Sequence, residues 1–304
     1  MRTTRTVAET RAVLLAPRRA GRSIALVPTM GALHAGHVAL ITQARAACDE
    51  VVVSIFVNPR QFADPADLAA YPRDERRDAQ LAAEAGATLL FAPTVAELYP
   101  AGHATHVALH GPLVETLEGA HRGSEHFRGV ATVVTKLLNV VQPDVAVFGQ
   151  KDAQQVLVIR RLVADLDLPV HIDVAPIVRE GDGLARSSRN VRLVGDDRRR
   201  AVALHTALTA AAEAVAAGEL DSAVLMGTAR AAMSPFAVEP EYLALVDPKS
   251  LAPVTTVQGP VLLAVAASVG GVRLIDNLLL TPDRKATTMH RTPTPIRDKT
   301  GAPS

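Results

Sequence analysis

The chain has 304 residues, a length typical of about two domains, and 48% of its residues are hydrophobic. Lysine and arginine together number 32, against 31 for aspartate and glutamate, so the formal net charge is only +1. This balance provides no strongly basic field for a nucleic acid, and it favours a small molecule as the partner.

The same composition bears on the cellular compartment. No window approaches the roughly 18 apolar residues that a membrane-spanning helix needs. The first residues are not followed by an apolar run of signal-peptide length, and Cys48, the one cysteine, has no partner for an internal disulfide. We therefore expect a protein of the reducing cytoplasm that does not bind a membrane.

Predicted strands and helices alternate through the first part of the chain, which we predict to be one domain over residues 1–177. The strands are predicted at 24–27, 51–57, 88–91, 145–148 and 170–174, and the helices at 7–20, 35–47, 74–85, 129–141 and 153–166. The segment 93–127 is predicted as loops with one short helix near 112–119. This alternation predicts a doubly wound, Rossmann-like parallel sheet, in which ligands bind beyond the carboxyl ends of the strands.

The pattern changes after Pro176. Helices are predicted at 196–217 and 220–232, followed by strands near 239–246, 260–267 and 272–275. This order predicts a smaller α+β domain over residues 178–284. The remaining residues, 285–304, are rich in threonine and proline and carry four basic side chains, so we expect a disordered basic tail.

The segment 24–37 is predicted to be a buried strand, a sharp turn and the start of a helix. The first backbone N–H groups of a helix lack internal partners, and together with the helix dipole they favour a phosphate at that position. His34 and His37 lie three residues apart and share one helical face. They are either donors to a phosphate or a pair of capping and packing histidines.

Two further segments carry groups suited to phosphate. Lys151 follows the predicted strand 145–148 and is one of five lysines against 27 arginines. A compact charge at this point suits phosphate, and a solvated lysine paired with Asp152 is the alternative. The segment 187–189 either closes on a triphosphate as a flexible loop or forms a helix N-cap with a surface arginine.

Side-chain amides follow two of the predicted strands. Asn58 and Gln61 flank Pro59 and could hydrogen-bond a hydroxyl or a carboxylate, although Asn-Pro also simply builds turns. Gln154 and Gln155 begin the helix after Lys151, and we favour Gln155 as the ligand donor. The sequence has no Walker loop, zinc-ligand spacing or Gly-x-Ser-x-Gly elbow.

Four motifs in this order carry a resemblance to a known family. They are PTMGALHAGH at 28–37, FVNPRQF at 56–62, GQKD at 149–152 with Gln154 and Gln155, and DGLARSSRN at 182–190. Together they resemble pantoate–β-alanine ligases over about residues 1–283. Four ordered motifs are far more specific than any one of them. This family belongs to the nucleotidyltransferase superfamily with the His-x-Gly-His (HIGH) signature.

The resemblance implies an activity. Members of the family use ATP and Mg²⁺ to adenylate pantoate with release of pyrophosphate, and β-alanine then attacks the acyl adenylate to give pantothenate and AMP. A homodimer formed through the first domain is also implied.

The resemblance further assigns roles to matching positions. His37, His34 and Lys151 would be catalytic. ATP would contact Met30, Gly31, Ala32, Leu33, His34, Ala35, Gly36, His37, Gly149, Gln150, Lys151, Asp152, Val178, Arg186, Ser187, Ser188 and Arg189. Pantoate and β-alanine would contact Gln61, Gln155, Asn58, Glu118 and Arg122. Asp78 matches part of an acidic pair near the metal, and Arg186 stands where the family usually has methionine.

Two other functions are compatible with parts of the pattern. One is a nucleotidyltransferase that adenylylates a phosphate, as other proteins with the His-x-Gly-His signature do. Such an enzyme would lack Asn58 and Gln61 as an acid-binding site. The other is a nucleotide-sensing module that binds ATP and releases no pyrophosphate with any acid.

Overall fold

Six parallel strands form the larger sheet of the computed structural model, which describes residues 1–62 and 65–282. In spatial order they are β1 (Arg2–Thr4), β4 (Leu89–Phe91), β3 (Glu50–Ile55), β2 (Ile24–Thr29), β5 (Val145–Gly149) and β6 (His171–Ala175). The doubly wound parallel sheet is confirmed. Strand β1 was not predicted, because its three polar residues form a strand only by pairing with β4 at the edge of the sheet.

Helices cover both faces of this sheet. They are α1 (Val7–Arg19), α2 (Ala35–Ala47), α3 (Pro65–Ala70), α4 (Glu75–Glu84), α5 (Val95–Leu98), α6 (Pro112–Glu115), α7 (Glu118–Arg122), α8 (Ser124–Val141) and α9 (Ala153–Asp165). Helix α8 begins at Ser124, before the predicted start at 129. Helices α3 and α5 were not predicted, since each is too short to show a helical period.

The second part of the chain contains a three-stranded antiparallel sheet, as predicted for an α+β unit. Its strands are β7 (Tyr242–Val246), β8 (Val261–Val269) and β9 (Val272–Leu280), and its helices are α10 (Gly195–Arg200), α11 (Ala203–Ala216) and α12 (Ser222–Met233). The single helix predicted over 196–217 is wrong, because α10 and α11 are separate. Strand β9 extends past the predicted end at 275 because it pairs with the whole of β8.

The central strand β2 is buried on both faces, which explains its continuous apolar sequence. Ile24 and Leu26 pack into the core on one face of the sheet, while Ala25 and Val27 pack into the core on the other. The period of two in a strand produces this division. None of the helices in the described ranges is long and apolar enough to cross a membrane.

A small apolar cluster joins the two parts of the chain. Ala153 and Leu157 of α9 pack against Val246, Leu262 and Ala264 of the antiparallel sheet. This contact brings the second part of the chain against the helix that follows β5. The domain boundary at 177/178 stays a prediction, and the predicted disordered tail at 285–304 lies outside the described residues.

The order of the strands locates the crevice in which a ligand would bind. The chain proceeds from β2 outward through β3 to β4, and then returns to the opposite side of β2 to form β5 and β6. The carboxyl ends of β2 and β5 therefore flank a topological switch point, where ligands of doubly wound sheets bind. The segments 30–37 and 149–152 follow directly from these two ends.

Candidate active site

The turn after β2 has a backbone conformation that restricts its sequence. Thr29 Oγ1 donates to the Ser54 carbonyl at 2.7 Å and accepts from the Gly31 amide at 3.1 Å. Gly31 has φ +84°, and a Cβ atom there would lie 2.9 Å from an Asp78 carboxylate oxygen. Glycine is therefore required at this position, both for its conformation and for the close approach of Asp78.

Asp78, on α4, holds this turn in place. Its Oδ2 accepts from the Ala32 amide at 2.8 Å and its Oδ1 from the Leu33 amide at 2.7 Å, and the side chain is buried. Both carboxylate oxygens are thus used to shape the backbone. This geometry does not support Asp78 as the predicted metal ligand. In the described ranges, no group of three or more histidine, cysteine, aspartate or glutamate residues could hold a metal ion.

His34 and His37 form a capping box at the start of α2. His34 Nδ1 accepts from the Gly36 amide at 3.1 Å, and His37 Nδ1 accepts from the His34 amide at 3.3 Å. The capping alternative is therefore correct for the Nδ1 atoms. Because a backbone amide can only donate, each neutral ring must carry its proton on Nε2. The same capping bonds leave both histidines with an Nε2–H donor for another partner.

The two imidazoles are held neutral. Burial lowers the pKa of His34 to about 4, with a further contribution from the positive charge of Lys151. Burial also lowers the pKa of His37 to about 3, with His34 as the next cause. The ring centroids are 4.2 Å apart. At neutral pH both rings are therefore uncharged hydrogen-bond donors rather than cations.

Lys151 lies across the crevice from these histidines. Its Nζ is 3.9 Å from Asp152 Oδ1, a long ion pair in which the aspartate is half exposed. Lys151 and Ser187 line one cavity together with Ala185 and Asp276. The structure therefore brings together the GQKD segment and the segment 187–189, called the serine loop, although they are far apart in sequence.

The other residues predicted to bind ATP differ in whether their side chains are buried, bonded within the protein or exposed. Leu33 packs in the core, so only its backbone can reach a ligand. Gln150 Nε2 donates to Asn277 Oδ1 at 2.9 Å, which ties its side chain to β9. The Val178 carbonyl accepts from the Arg186 amide at 2.9 Å. Met30, Ala35 and Gly36 are at least partly exposed around the turn, as are Ser188 and Arg189 in the serine loop.

The serine loop is an N-cap, as the simpler alternative predicted. Ser187 Oγ accepts from the Arg189 amide at 3.2 Å and begins a short 3₁₀ helix over Ser188–Arg192. This bond fixes the backbone of the loop, and Ser187 still lines the same cavity as Lys151. Both interpretations of the segment are therefore compatible with its position beside the cavity.

The amides after β3 and β5 have different environments. Asn58 is fully buried and its side chain makes four hydrogen bonds within the protein, a geometry that does not support the predicted direct contact between Asn58 and a substrate, which stays a prediction. Gln61 is partly exposed beside it. Gln154 is also buried and bonds to the Leu113 and Thr116 carbonyls. The side chain of Gln155 is partly exposed and has no hydrogen bond in the described ranges, so it is available to a ligand.

Glu118 connects the two parts of the chain. Its carboxylate accepts from Arg122 Nε at 2.9 Å, from both Nη groups of Arg273 at 2.7 and 2.8 Å, and from the Tyr242 hydroxyl at 3.0 Å. Burial alone would raise the pKa of Glu118, but Arg273 and Arg122 outweigh burial and lower this pKa to about 2. This geometry does not support the predicted direct contact of Glu118 with a substrate, because the carboxylate oxygens already accept four hydrogen bonds, and the contact stays a prediction.

Comparison with known proteins identifies the family. Residues 2–279 match the sequence model of the family described as pantoate-beta-alanine ligase. A pantothenate synthetase from Moorella thermoacetica is 51% identical over 279 residues, covering 90% of this chain and 97% of that protein. Another pantothenate synthetase, from Cereibacter sphaeroides, is 52% identical over 275 residues, which cover 90% of this chain and 98% of that protein. This chain belongs to the pantoate–β-alanine ligase family.

Solved structures of the family have the same fold. The pantothenate synthetase from Thermus thermophilus aligns with a TM-score of 0.88 at 47% identity, covering 93% of this chain and all of that one. A pantoate-beta-alanine ligase from Francisella tularensis, in complex with beta-gamma ATP and beta-alanine, aligns with a TM-score of 0.73 at 32% identity. That alignment covers 92% of this chain and 97% of the other.

Three residues at the candidate site were not predicted from the sequence. Tyr99 follows the short helix α5 and donates to Asn58, while Tyr242 and Arg273 reach Glu118 from the antiparallel sheet. No motif marks them. Their partners lie 41 to 155 positions away, so only the folded chain shows their roles.

Proposed function

We propose that this protein joins pantoate to β-alanine with the consumption of ATP, through a pantoyl adenylate, and releases AMP and pyrophosphate. One observation carries the proposal. Three of the motifs shared with pantoate–β-alanine ligases follow the carboxyl ends of β2, β3 and β5, where doubly wound sheets bind ligands, and the fourth lines a cavity together with Lys151. Family membership across residues 2–279 supports the same conclusion.

The turn and the start of α2 form the triphosphate end of the proposed site. The backbone at 30–33 and the dipole of the 13-residue helix α2 favour a phosphate. The Nε2–H groups of His34 and His37 donate to phosphate oxygens without adding charge. Lys151 and the hydroxyls of Ser187 and Ser188 approach from the other side.

The first step forms one bond and breaks another at the α-phosphorus of ATP. A carboxylate oxygen of pantoate attacks phosphorus and pyrophosphate leaves with the electron pair of the broken bond. The carboxylate of pantoate is a poor acyl donor and has to be activated. Holding it in line with the α-phosphate lowers the activation barrier, by about 7–11 kcal/mol in well-oriented reactions. Lys151, His34 and His37 stabilise the charge that moves to pyrophosphate.

The second step transfers the pantoyl group. The amine of β-alanine attacks the acyl carbon, and AMP leaves with the oxygen that joined the acyl group to phosphorus. Gln61 and Gln155 hold the pantoyl part, and Arg122 provides a cation at the same end. The Nε atom of Arg122 is bound to Glu118, and in the described ranges its two Nη groups have no hydrogen bond. A site closed to water protects the mixed anhydride from hydrolysis.

Magnesium enters this reaction as part of the ATP substrate. Hard divalent cations of this size keep several waters and bind chiefly to phosphate oxygens with one or two carboxylates. Asp152 is the half-exposed carboxylate beside Lys151 and could supply one such oxygen. Mg²⁺ bound in this way would neutralise part of the triphosphate charge.

The remaining expectations follow from the sequence pattern and from the family resemblance, and they stay proposals. They are a cytoplasmic homodimer, an ATP- and pantoate-binding domain over 1–177, and a lid domain over 178–284. The bonds from Arg273 and Tyr242 to Glu118 support a lid that contacts the acid end of the site.

A pyrophosphate-release assay tests the proposed function. The protein is mixed with ATP, Mg²⁺ and pantoate, and pyrophosphate is followed before and after β-alanine is added. We expect a burst of about one pyrophosphate per site, as for an enzyme-bound intermediate, and steady turnover after the addition. No pyrophosphate with pantoate would contradict the proposal, and release with a phosphate-bearing acceptor instead would support the nucleotidyltransferase alternative.

A further inference from the structure

The Asn58 amide has no hydrogen-bonding capacity left for a ligand. Its Oδ1 accepts from the Arg60 amide at 3.2 Å and from the Tyr99 hydroxyl at 3.0 Å. Its Nδ2 donates to the Gly129 carbonyl at 3.0 Å and to Gln61 Oε1 at 2.9 Å. A backbone amide can only donate and a backbone carbonyl can only accept, so the orientation of Asn58 is determined by its partners.

This orientation decides which end of Gln61 faces the site. Because Asn58 donates to Gln61 Oε1, the oxygen of the Gln61 amide is turned toward the protein. The Nε2 group, with its two N–H donors, is left for a ligand. Gln61 thus offers donors, which suit the carboxylate and hydroxyl oxygens of a hydroxy acid.

Tyr99 is the outermost member of this chain of hydrogen bonds, and its ring is held firmly. The Arg60 guanidinium lies 4.5 Å from the ring centroid, and the rings of Phe56 and His103 are 5.9 and 5.1 Å away. Burial raises the pKa of Tyr99 to about 12, even though Arg60 and Asn58 act in the opposite direction. The phenol therefore stays protonated and donates throughout the working pH range.

We propose that Tyr99 is a positioning residue for the acid-binding site, acting through Asn58 to present the N–H groups of Gln61 to pantoate. This inference rests on the proposed function, since it names pantoate as the acid. Tyr99 itself does not touch the substrate in this account, because its hydroxyl is used by Asn58. Its role is to fill the remaining acceptor position of Asn58 Oδ1 and so to restrict the movement of an amide whose orientation the backbone of Arg60 and Gly129 sets.

The substitution Tyr99→Phe tests the proposal, since it keeps the ring, its packing and its contact with Arg60. We expect the Kd for pantoate, measured by titration calorimetry, and the KM for pantoate to rise about three- to tenfold, as for the loss of one buried hydrogen bond. The KM for ATP should stay unchanged. An unchanged Kd for pantoate, or an equal rise in both KM values, would overturn the proposal.

Thr4→Val provides the matched control. It removes a buried hydroxyl that bonds Thr10 at 2.8 Å, far from the amide chain in sequence and outside the proposed site. We expect a lowered Tm comparable to that of Tyr99→Phe and an unchanged Kd for pantoate. A Kd that rises in both variants would show that any loss of stability weakens binding, and would overturn the proposal.

A double-variant cycle isolates the path through Gln61. In a Gln61→Ala background, Tyr99→Phe should change the Kd for pantoate by less than about twofold, because the amide that Tyr99 orients is absent. A full effect in that background would overturn the positioning role. If the unmodified protein itself binds no pantoate, the proposed function fails rather than this inference alone.

Discussion

The two ends of the site are built in different ways. At the phosphate end, Gly31, His34 and His37 belong to one strand–turn–helix and are positioned by its backbone. At the acid end, Gln61 and Arg122 are held by Asn58 and Glu118. Asn58 and Glu118 are in turn held by Tyr99 and Arg273, which come from distant parts of the chain. The ligand-facing groups of the phosphate end therefore come from one local segment, with Asp78 of α4 as a distant support for its turn, whereas the acid end depends on the completed fold.

This difference predicts how each end fails when one residue is changed. Removing a side chain from the phosphate end removes a group that a ligand needs and leaves its supporting backbone intact. Removing a side chain from the acid end breaks a network, and the protein loses stability together with the orientation of its neighbours. The following predictions test this contrast, from the largest expected effect to the smallest.

His37→Ala should lower the rate of pantoate-dependent pyrophosphate release about 100- to 1,000-fold, because one preorganised donor to the transferring phosphate is lost. The free energy of unfolding should fall by only about 1 kcal/mol, the usual cost of a helix cap. His171→Ala is the control, since this exposed histidine begins β6 at the opposite end of the strands. Retained activity with a large loss of stability would identify His37 as a packing residue.

Glu118→Gln should have the opposite profile. It weakens the buried pairs with Arg122 and Arg273, and we expect the free energy of unfolding in urea to fall by about 3 kcal/mol. Pyrophosphate release should fall far less than in His37→Ala. Glu239→Gln breaks an exposed pair with Arg230 and should leave stability unchanged. An equal free energy of unfolding for Glu118→Gln and Glu239→Gln would show that the hydrogen bonds and ion pairs of Glu118 do not stabilise the fold.

Asp78→Asn distinguishes a structural carboxylate from a metal ligand. Losing charge-assisted bonds to the Ala32 and Leu33 amides should lower the free energy of unfolding by about 2 kcal/mol in the absence of any metal. The Mg²⁺ concentration that half-saturates pyrophosphate release should stay the same. A raised Mg²⁺ requirement with unchanged stability would instead support the predicted metal role. Glu84→Gln, on the exposed end of the same helix, is the control.

The free energy of unfolding should depend on pH in a way that reflects the lowered pKa values of His34 and His37. The pKa values of about 4 and about 3 lie below the ordinary value of 6.5, so the unfolded chain binds more protons between pH 4 and pH 6.5. The free energy of unfolding therefore falls as the pH is lowered through this interval. Between pH 7 and pH 5 the free energy of unfolding should fall by about 1 kcal/mol less in His37→Gln than in the unmodified protein, a value reduced for solvent screening. Identical pH profiles would contradict a neutral His37.

The same contrast explains what the sequence could and could not predict. The segment 24–37 was predicted correctly because its apolar strand, its glycine turn and its paired histidines are neighbours in sequence. Asn58 and Glu118 were assigned to direct substrate contact because nothing local shows that their polar atoms are already used. Their partners, Tyr99 and Arg273, lie 41 and 155 positions away.

The fold shows a similar limit. The parallel sheet was predictable, because buried strands have long β-branched apolar runs. Strand β1 was not, since Arg2–Thr4 is polar and becomes a strand only through its pairing with β4. The separation of α10 from α11 also escaped prediction, because the sequence around Ala201 has good helical residues throughout.

The fate of the pantoate carboxylate oxygens tests the central claim most directly, namely that the two ends of the site meet at the α-phosphorus of ATP. Pantoate with ¹⁸O in both carboxylate oxygens is supplied with ATP, Mg²⁺ and β-alanine, and the AMP is analysed by mass spectrometry. We predict one ¹⁸O atom in the phosphate of each AMP, because the bridging oxygen leaves with AMP when the amine attacks the acyl carbon. AMP without the label would contradict the account.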